Sequence, residues 1–178
     1  MSEKKKRERI LPNEQYMFCH FMNWFGNLSN DEEADGDSNK PKPEFKYEDP
    51  AFQSFLKDNG ISICSKNKIP QRIKDENSII MRYKPNAKPD VRSLARHIRN
   101  AIAHANITKI NGVFCIFDKK KTDNKDGNQT SKGYVFTMRG RINADLMPDF
   151  LQAIKDNYRI RGKRRTKQET KATAVAES

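Results

Sequence analysis

The stretch DVRSLARHIRNAIAHANI, Asp90 to Ile107, decides the fold. Its apolar residues fall at Val91, Leu94, Ala95, Ile98, Ile102 and Ala105, the i, i+3, i+4, i+7 spacing of a helix with one buried face. Pro89 disfavours helix at the residue before it, and Asp90 is placed to cap the free amides of the first turn. At about 100° per residue the rest of the wheel divides into two stripes. Arg92, Arg96 and Arg99 form one; His97, Asn100 and His104, separated by three and four residues, form the other. Ala101, Ala103 and Ala105 keep the last turns thin, so a second backbone can approach closely.

Upstream of this helix the chain predicts two more. The aromatic run EQYMFCHFMNWFGNLSN predicts a helix from Asn13 to Leu28, with Tyr16, Phe21, Trp24, Phe25 and Leu28 on its apolar face. His20 lies there as a histidine at the edge of a core helix rather than a catalytic group. Residues 29–49 break the pattern. Five acids crowd between Asp31 and Asp37, two prolines follow, and the segment reads as a long loop. Gly36 alone does not supply the ligand spacing of a cation-binding loop. Asp49-Pro50 starts the next helix, Ala51, Phe52, Phe55 and Leu56 give it an apolar face, and Asn59-Gly60 ends it. Ile61 to Cys64 is either a short extended piece or a turn, and residues 76–83 predict a short helix.

Downstream the period changes from 3.6 to 2. Val113–Phe117 and Gly133–Met138 are β-prone runs that predict a hairpin. The polar connection DKKKTDNKDGNQTSK is longer than hairpin loops usually are. Its Lys119, Lys120 and Lys121 either contact an RNA backbone or form a solvated tip. Asn143 is placed to cap a turn, Pro148 marks the first turn of a last helix, and Phe150, Leu151, Ile154 and Tyr158 form that helix's core face.

Within the central helix, Arg99-Asn100-Ala101-Ile102-Ala103-His104 followed by Ala-Asn-Ile has the style R-N-x-x-x-H-x-N-I. It resembles the signature of HEPN ribonucleases. The tight resemblance covers Leu94 to Ile107, and a looser one extends into the strand-like and helical segments that follow. It implies a mainly α fold, a HEPN-like helical bundle, to which the predicted β-hairpin near residues 112–139 is an addition. It also implies a homodimer that cuts RNA without a metal or other cofactor, in anti-phage defence or a toxin–antitoxin system. The implied catalytic residues are Arg99, Asn100 and His104. Arg92, Arg96, His97 and Lys119–Lys121 are candidate RNA contacts beside them.

The residue types suit that chemistry. When the 2′-hydroxyl of RNA attacks the adjacent phosphorus, a group that exchanges protons near neutral pH is needed, and histidine is one. Charge also builds on the phosphoryl oxygens, which an arginine fork matches. Asparagine orients either group. On an ideal helix Asn100 and His104 stand about 40° apart, but Arg99 and His104 about 140° apart. A two-fold dimer that pools groups from two facing helices resolves the mismatch. The rival functions are a non-catalytic RNA-binding module and a toxin or regulator held by a protein antitoxin or a regulatory RNA. In the latter case the acidic segment 31–37 would cover a basic site.

The 178 residues suit one domain. We expect it to span residues 10–158, between a basic, disordered N-terminus 1–9 and a basic, disordered tail 159–178. The net charge is +12, and the ends carry +3 and +5 of it. That excess either favours a polyanionic partner or serves solubility. Cys19, Cys64 and Cys115 are too scattered for a zinc site or a disulfide framework and predict reduced thiols in the cytoplasm. No apolar run approaches the roughly 18 residues of a membrane span, and the N-terminus lacks a secretory apolar region.

Overall fold

The computed structural model describes residues 7–33, 43–45, 49–82, 91–121 and 133–160, with residues 28–33, 43–45 and 158–160 described by backbone alone. The Asp90 cap, most of the acidic segment, the loop 122–132 and the tail beyond residue 160 lie outside the described residues.

The helices are α1 (Pro12–Glu33), α2 (Pro50–Asp58), α3 (Val91–Ala103) and α4 (Met147–Asp156). The strands are β1 (Arg7–Glu8), β2 (Pro43–Phe45), β3 (Ser62–Lys66), β4 (Ser78–Arg82), β5 (Ile107–Ile110), β6 (Val113–Lys121), β7 (Tyr134–Asn143) and β8 (Tyr158–Ile160). Six of them form one mixed sheet in the order β1-β5-β6-β7-β4-β3, in which β3 and β4 run parallel and every other pair antiparallel. β2 and β8 pair separately, antiparallel.

The mainly α expectation is therefore corrected. The β6–β7 hairpin is the middle of the sheet, not an appendage to a bundle. The expected helix at 76–83 is strand β4, and of the two alternatives for Ile61–Cys64 the extended one holds, since Ser62–Cys64 begin strand β3. β4 shows why periodicity missed it: Ser78, Ile79, Ile80 and Met81 are all buried, so the strand has no polar face and loses its alternation. β5 was hidden for another reason. Ile107 closes the stretch read as the helix, yet the helix ends at Ala103 and Ile107 opens a strand. Asn111 and Gly112, at φ +50° and +71°, then turn β5 into β6, the two-residue turn that suits a tight hairpin.

The core lies between one face of the sheet and the helices. Phe18, Phe21 and Phe25 of α1, Phe52 and Leu56 of α2, the apolar face of α3, and Phe150, Leu151 and Ile154 of α4 join Phe114, Ile116, Met138 and Ile142 of the central strands. Phe18 meets Phe114 edge to face at 5.2 Å. The face expected for α1 is rotated: Tyr16 is 72% exposed, and Phe18 takes the buried position. In α3, Val91, Leu94, Ala95, Ile98 and Ala101 are buried and Ile102 is half-buried. Asp49 caps α2 by accepting from the Ala51 amide at 3.0 Å, and Asn143 accepts from the Asp145 amide at 2.9 Å in the expected turn.

α2 and α3 end in the same motif with different residues. In α2 the Ile61 amide donates to Leu56 O at 2.8 Å and the Gly60 amide to Lys57 O at 3.1 Å. In α3 the Asn106 amide donates to Ala101 O at 2.8 Å and the Ala105 amide to Ile102 O at 3.0 Å. The left-handed residue is Gly60 (φ +61°) in one and Ala105 (φ +51°) in the other. A Cβ in that region is strained, and the Ala105 side chain is exposed, so little packing offsets it. Ala105→Gly is expected to stabilise the protein by about 0.5–1 kcal/mol, read as a higher urea midpoint at unchanged slope.

Candidate active site

α3 packs against β6, and the polar stripe of the helix runs along the strand end where the apolar sequence VFCIF gives way to DKKK. Asp118 falls at that junction. Alternation along β6 turns Phe114, Ile116 and Asp118 to the helix side. An acid thus stands where a core side chain would, at 5% exposure. The strand pairing shifts register between Asp118 and Lys119, the kind of bulge that re-aims a side chain.

Three groups converge on the Asp118 carboxylate. His97 Nδ1 lies 2.7 Å from Oδ2, Asn100 Nδ2 donates to the same oxygen at 3.4 Å, and the Lys119 amide donates to Oδ1 at 2.9 Å. Burial by itself would raise the Asp118 pKa. The hydrogen bond and charge of His97, with smaller shares from Thr137 and Asn100, outweigh it and hold the carboxyl below its ordinary range. An ionised carboxylate here accepts the His97 proton at Nδ1, which leaves Nε2 as the free ring nitrogen. On the other side of Asn100, Arg99 donates from a guanidinium nitrogen to Oδ1 at 3.2 Å. Arg99, Asn100, Asp118 and His97 therefore form one continuous polar chain, and the Asn100 amide is committed at both ends.

Of the expected catalytic residues, Arg99 and Asn100 are joined directly. His104 is exposed just past the end of α3, its amide closing the last turn onto Asn100 O at 3.0 Å. His97, expected as an RNA contact, is the partner of a buried acid. Arg96 is exposed and Arg92 half-buried. Lys119, Lys120 and Lys121 are exposed on the end of β6, opposite Phe136, Val135 and Tyr134. His20, away from this site, is exposed on α1 with its Nδ1 2.9 Å from Lys155 Nζ. Among the described residues, no group of three or more His, Cys, Asp or Glu is placed to hold a metal, and no helix is long and apolar enough to cross a membrane.

Asp118 is the residue that sequence reasoning missed. Its signal was present: it shares the parity of Phe114 and Ile116 in a strand that otherwise carries no charge before the lysines.

No curated protein and no solved structure matches the chain. The family model described as HEPN pEK499 p136 matches residues 11–161, which takes in all four helices and the whole sheet except β1. The chain accordingly belongs to the HEPN pEK499 p136 family, and through it to the HEPN superfamily.

Proposed function

We propose that this protein is a metal-independent endoribonuclease whose reaction is carried by Arg99 and His104, with Asn100 and Asp118 as positioning residues. The observation that carries the reading is the chain of hydrogen bonds from Arg99 through Asn100 to buried Asp118. It ties one guanidinium nitrogen of Arg99 while the arginine itself stays exposed. A preorganised guanidinium is what stabilisation of a phosphorane-like state requires. His104 stands on the next turn, also exposed, and supplies proton transfer.

In the reaction a base takes the proton of the 2′-hydroxyl and the O2′–P bond forms. The P–O5′ bond then breaks and the leaving O5′ receives a proton. The products are a 2′,3′-cyclic phosphate and a 5′-hydroxyl. Arg99 and His104 are both solvent-facing and stand about 140° apart on the helix, which favours a site shared by two copies of the chain about a two-fold axis. A solvent-facing site of this kind also calls for restraint by a protein or RNA partner, as in the toxin and defence settings to which HEPN ribonucleases belong.

The test is cleavage of a single-stranded RNA in excess EDTA. We expect cutting to persist, with fragments that a kinase can label at the 5′ end without phosphatase treatment. Fragments bearing 5′-phosphate, or binding with no cutting by the full chain, would overturn the proposal, the latter in favour of a non-catalytic RNA-binding module.

A further inference from the structure

The sheet has a second face, and the helices that form the core lie across the first. Alternation places Cys115, Phe117, Lys119 and Lys121 of β6 on this outer face, with Thr108 and Ile110 of β5 beside them. On β7 the extra residue at the bulge lets Tyr134 and Phe136 before it, and Arg139 and Arg141 after it, all reach the same side. The result is three half-buried aromatic rings interleaved with cations. Phe117 and Phe136 meet edge to face at 5.8 Å, Lys119 Nζ lies 4.8 Å from the Tyr134 ring centre, and the Arg139 guanidinium lies 3.7 Å over Phe136. Among the described residues, β5, β6 and β7 carry no carboxylate on this face.

Arg139 is the informative cation. Its Nε is buried with no hydrogen-bond partner. Burial lowers its pKa, so the guanidinium is desolvated with a ring below it and, among the described residues, has no anion opposite. Next to it a cavity of about 500 Å³ opens onto Arg72, Glu76, Thr108, Phe117, Arg139 and Arg141, and Glu76 pairs with Arg141 at 3.4 Å. That volume is within the range of small-ligand sites, and a nucleotide's base and phosphate match its apolar wall and Arg139.

We propose that the outer face is a stacking platform for single-stranded RNA, on which unpaired bases lie against Phe117, Phe136 and Tyr134 while phosphates meet Lys119, Arg139 and Arg141. The inference deepens the ribonuclease reading and rests on it for the kind of polyanion. Rings on central strands flanked by cations recognise unpaired bases, because a base inside a duplex has no free face to stack. Continuity with the active site supports the same occupant. Pairing of β5 with β6 ends at Ile107 and Ile116, and the last contact on that side is the Phe117 amide to Asn106 O at 3.1 Å. Beyond it, among the described residues, the β6 edge from Asp118 to Lys121 has no strand on that side. Phe117 and Lys119 project outward while Asp118, between them, projects to His97. RNA held on the platform reaches α3 by passing round this free edge.

The test uses the full chain and a short single-stranded oligoribonucleotide with 2′-O-methyl groups, which blocks the attack and isolates binding. Phe117→Leu and Phe136→Leu keep apolar bulk and remove the ring; each is expected to weaken binding about tenfold. Lys119→Gln, at an exposed position, is expected to weaken binding and flatten its dependence on salt. The matching duplex should bind more weakly than the single strand and be indifferent to the two leucine variants. Equal affinity of wild type and the ring variants for the single strand would overturn the platform, as would a preference for duplex. Those outcomes leave the cleavage assay in EDTA untouched. Conversely, ring-dependent binding by a protein that never cuts would sink the ribonuclease reading and keep the platform.

Discussion

Asp118→Ala is expected to cost about 2 kcal/mol of stability and about a hundredfold in RNA cleavage, although the residue touches no substrate in the proposed reaction. The stability loss follows from what is orphaned. His97 Nδ1 and Asn100 Nδ2 lose their shared acceptor, and the Lys119 amide loses its own. His97 keeps 20% of its side chain in solvent, so water recovers part of the loss. The activity loss follows from geometry: Asn100 freed at one end no longer fixes Arg99, and misplacement of a phosphate clamp by about an ångström has effects of this size. Asp118→Asn separates charge from shape. Because the folded carboxyl titrates below its ordinary value of 3.8, its contribution is complete above that value and is lost as pH falls through the lowered one. The stability difference between wild type and Asp118→Asn should therefore shrink in acid below pH 3.8. Urea titrations at several pH values measure it. A difference that fails to shrink below pH 3.8 would show that the carboxylate is not stabilised in the folded state.

The legible parts of the chain were those with one buried face and one exposed face. α2, α3 and α4 each bury one stripe in the shared core, so their spacing and their Pro and Asn-Gly punctuation give the right elements. β6 and β7 were legible because they are long and rich in aromatic and branched residues. What stayed hidden depends on who covers which face. Ile79 of β4 joins the core under the helices while Ile80, on the opposite face, is buried too, as is Ile69 ahead of the strand. A strand covered on both sides carries no period to read. The sheet order is likewise a long-range property, since β4 pairs with β7, which follows it by more than fifty residues. One signal was available and decisive: Asn111-Gly112 between Ile107–Ile110 and Val113–Phe117 is the pattern of a tight hairpin. Taken with the second run from Tyr134, it makes three consecutive antiparallel strands and rules out a plain bundle.

The candidate site divides in the same way. Arg99, Asn100 and His104 are neighbours on one helix, so spacing finds them. Asp118 lies 18 residues beyond Asn100 on another element, and only the packing of α3 on β6 brings the two together. That packing changes the role of Asn100. With its oxygen taken by Arg99 and its amide nitrogen by Asp118, it has little left to offer a substrate and acts through Arg99. Asn100→Ala is thus expected to resemble Asp118→Ala in activity while costing less stability, because it removes one donor from the carboxylate rather than the acceptor from three.

Arg99→Ala and His104→Ala are each expected to abolish cleavage, and a mixture of the two is expected to recover part of it. Both side chains are exposed, so neither change opens a cavity, and stability should stay within about 1 kcal/mol of wild type. Loss of activity is then a loss of chemistry. The recovery depends on which chain supplies which group. Arg99 is drawn toward Asn100, and His104 lies beyond the last helical residue, an arrangement that leaves the two facing different directions from one helix. If a two-fold dimer faces two such helices, each site takes arginine from one chain and histidine from the other. A heterodimer of the two variants then holds one site with both groups and one with neither. Random exchange makes about half the dimers mixed, so roughly a quarter of wild-type activity returns. The measurement is initial cleavage rate after co-refolding or co-expression, beside each variant alone. A mixture as inactive as its components would place both groups in one chain. Near wild-type cutting by either single variant would remove that residue from the chemistry, and in the case of His104→Ala would shift the proton-transfer role to His97, the next histidine along the stripe.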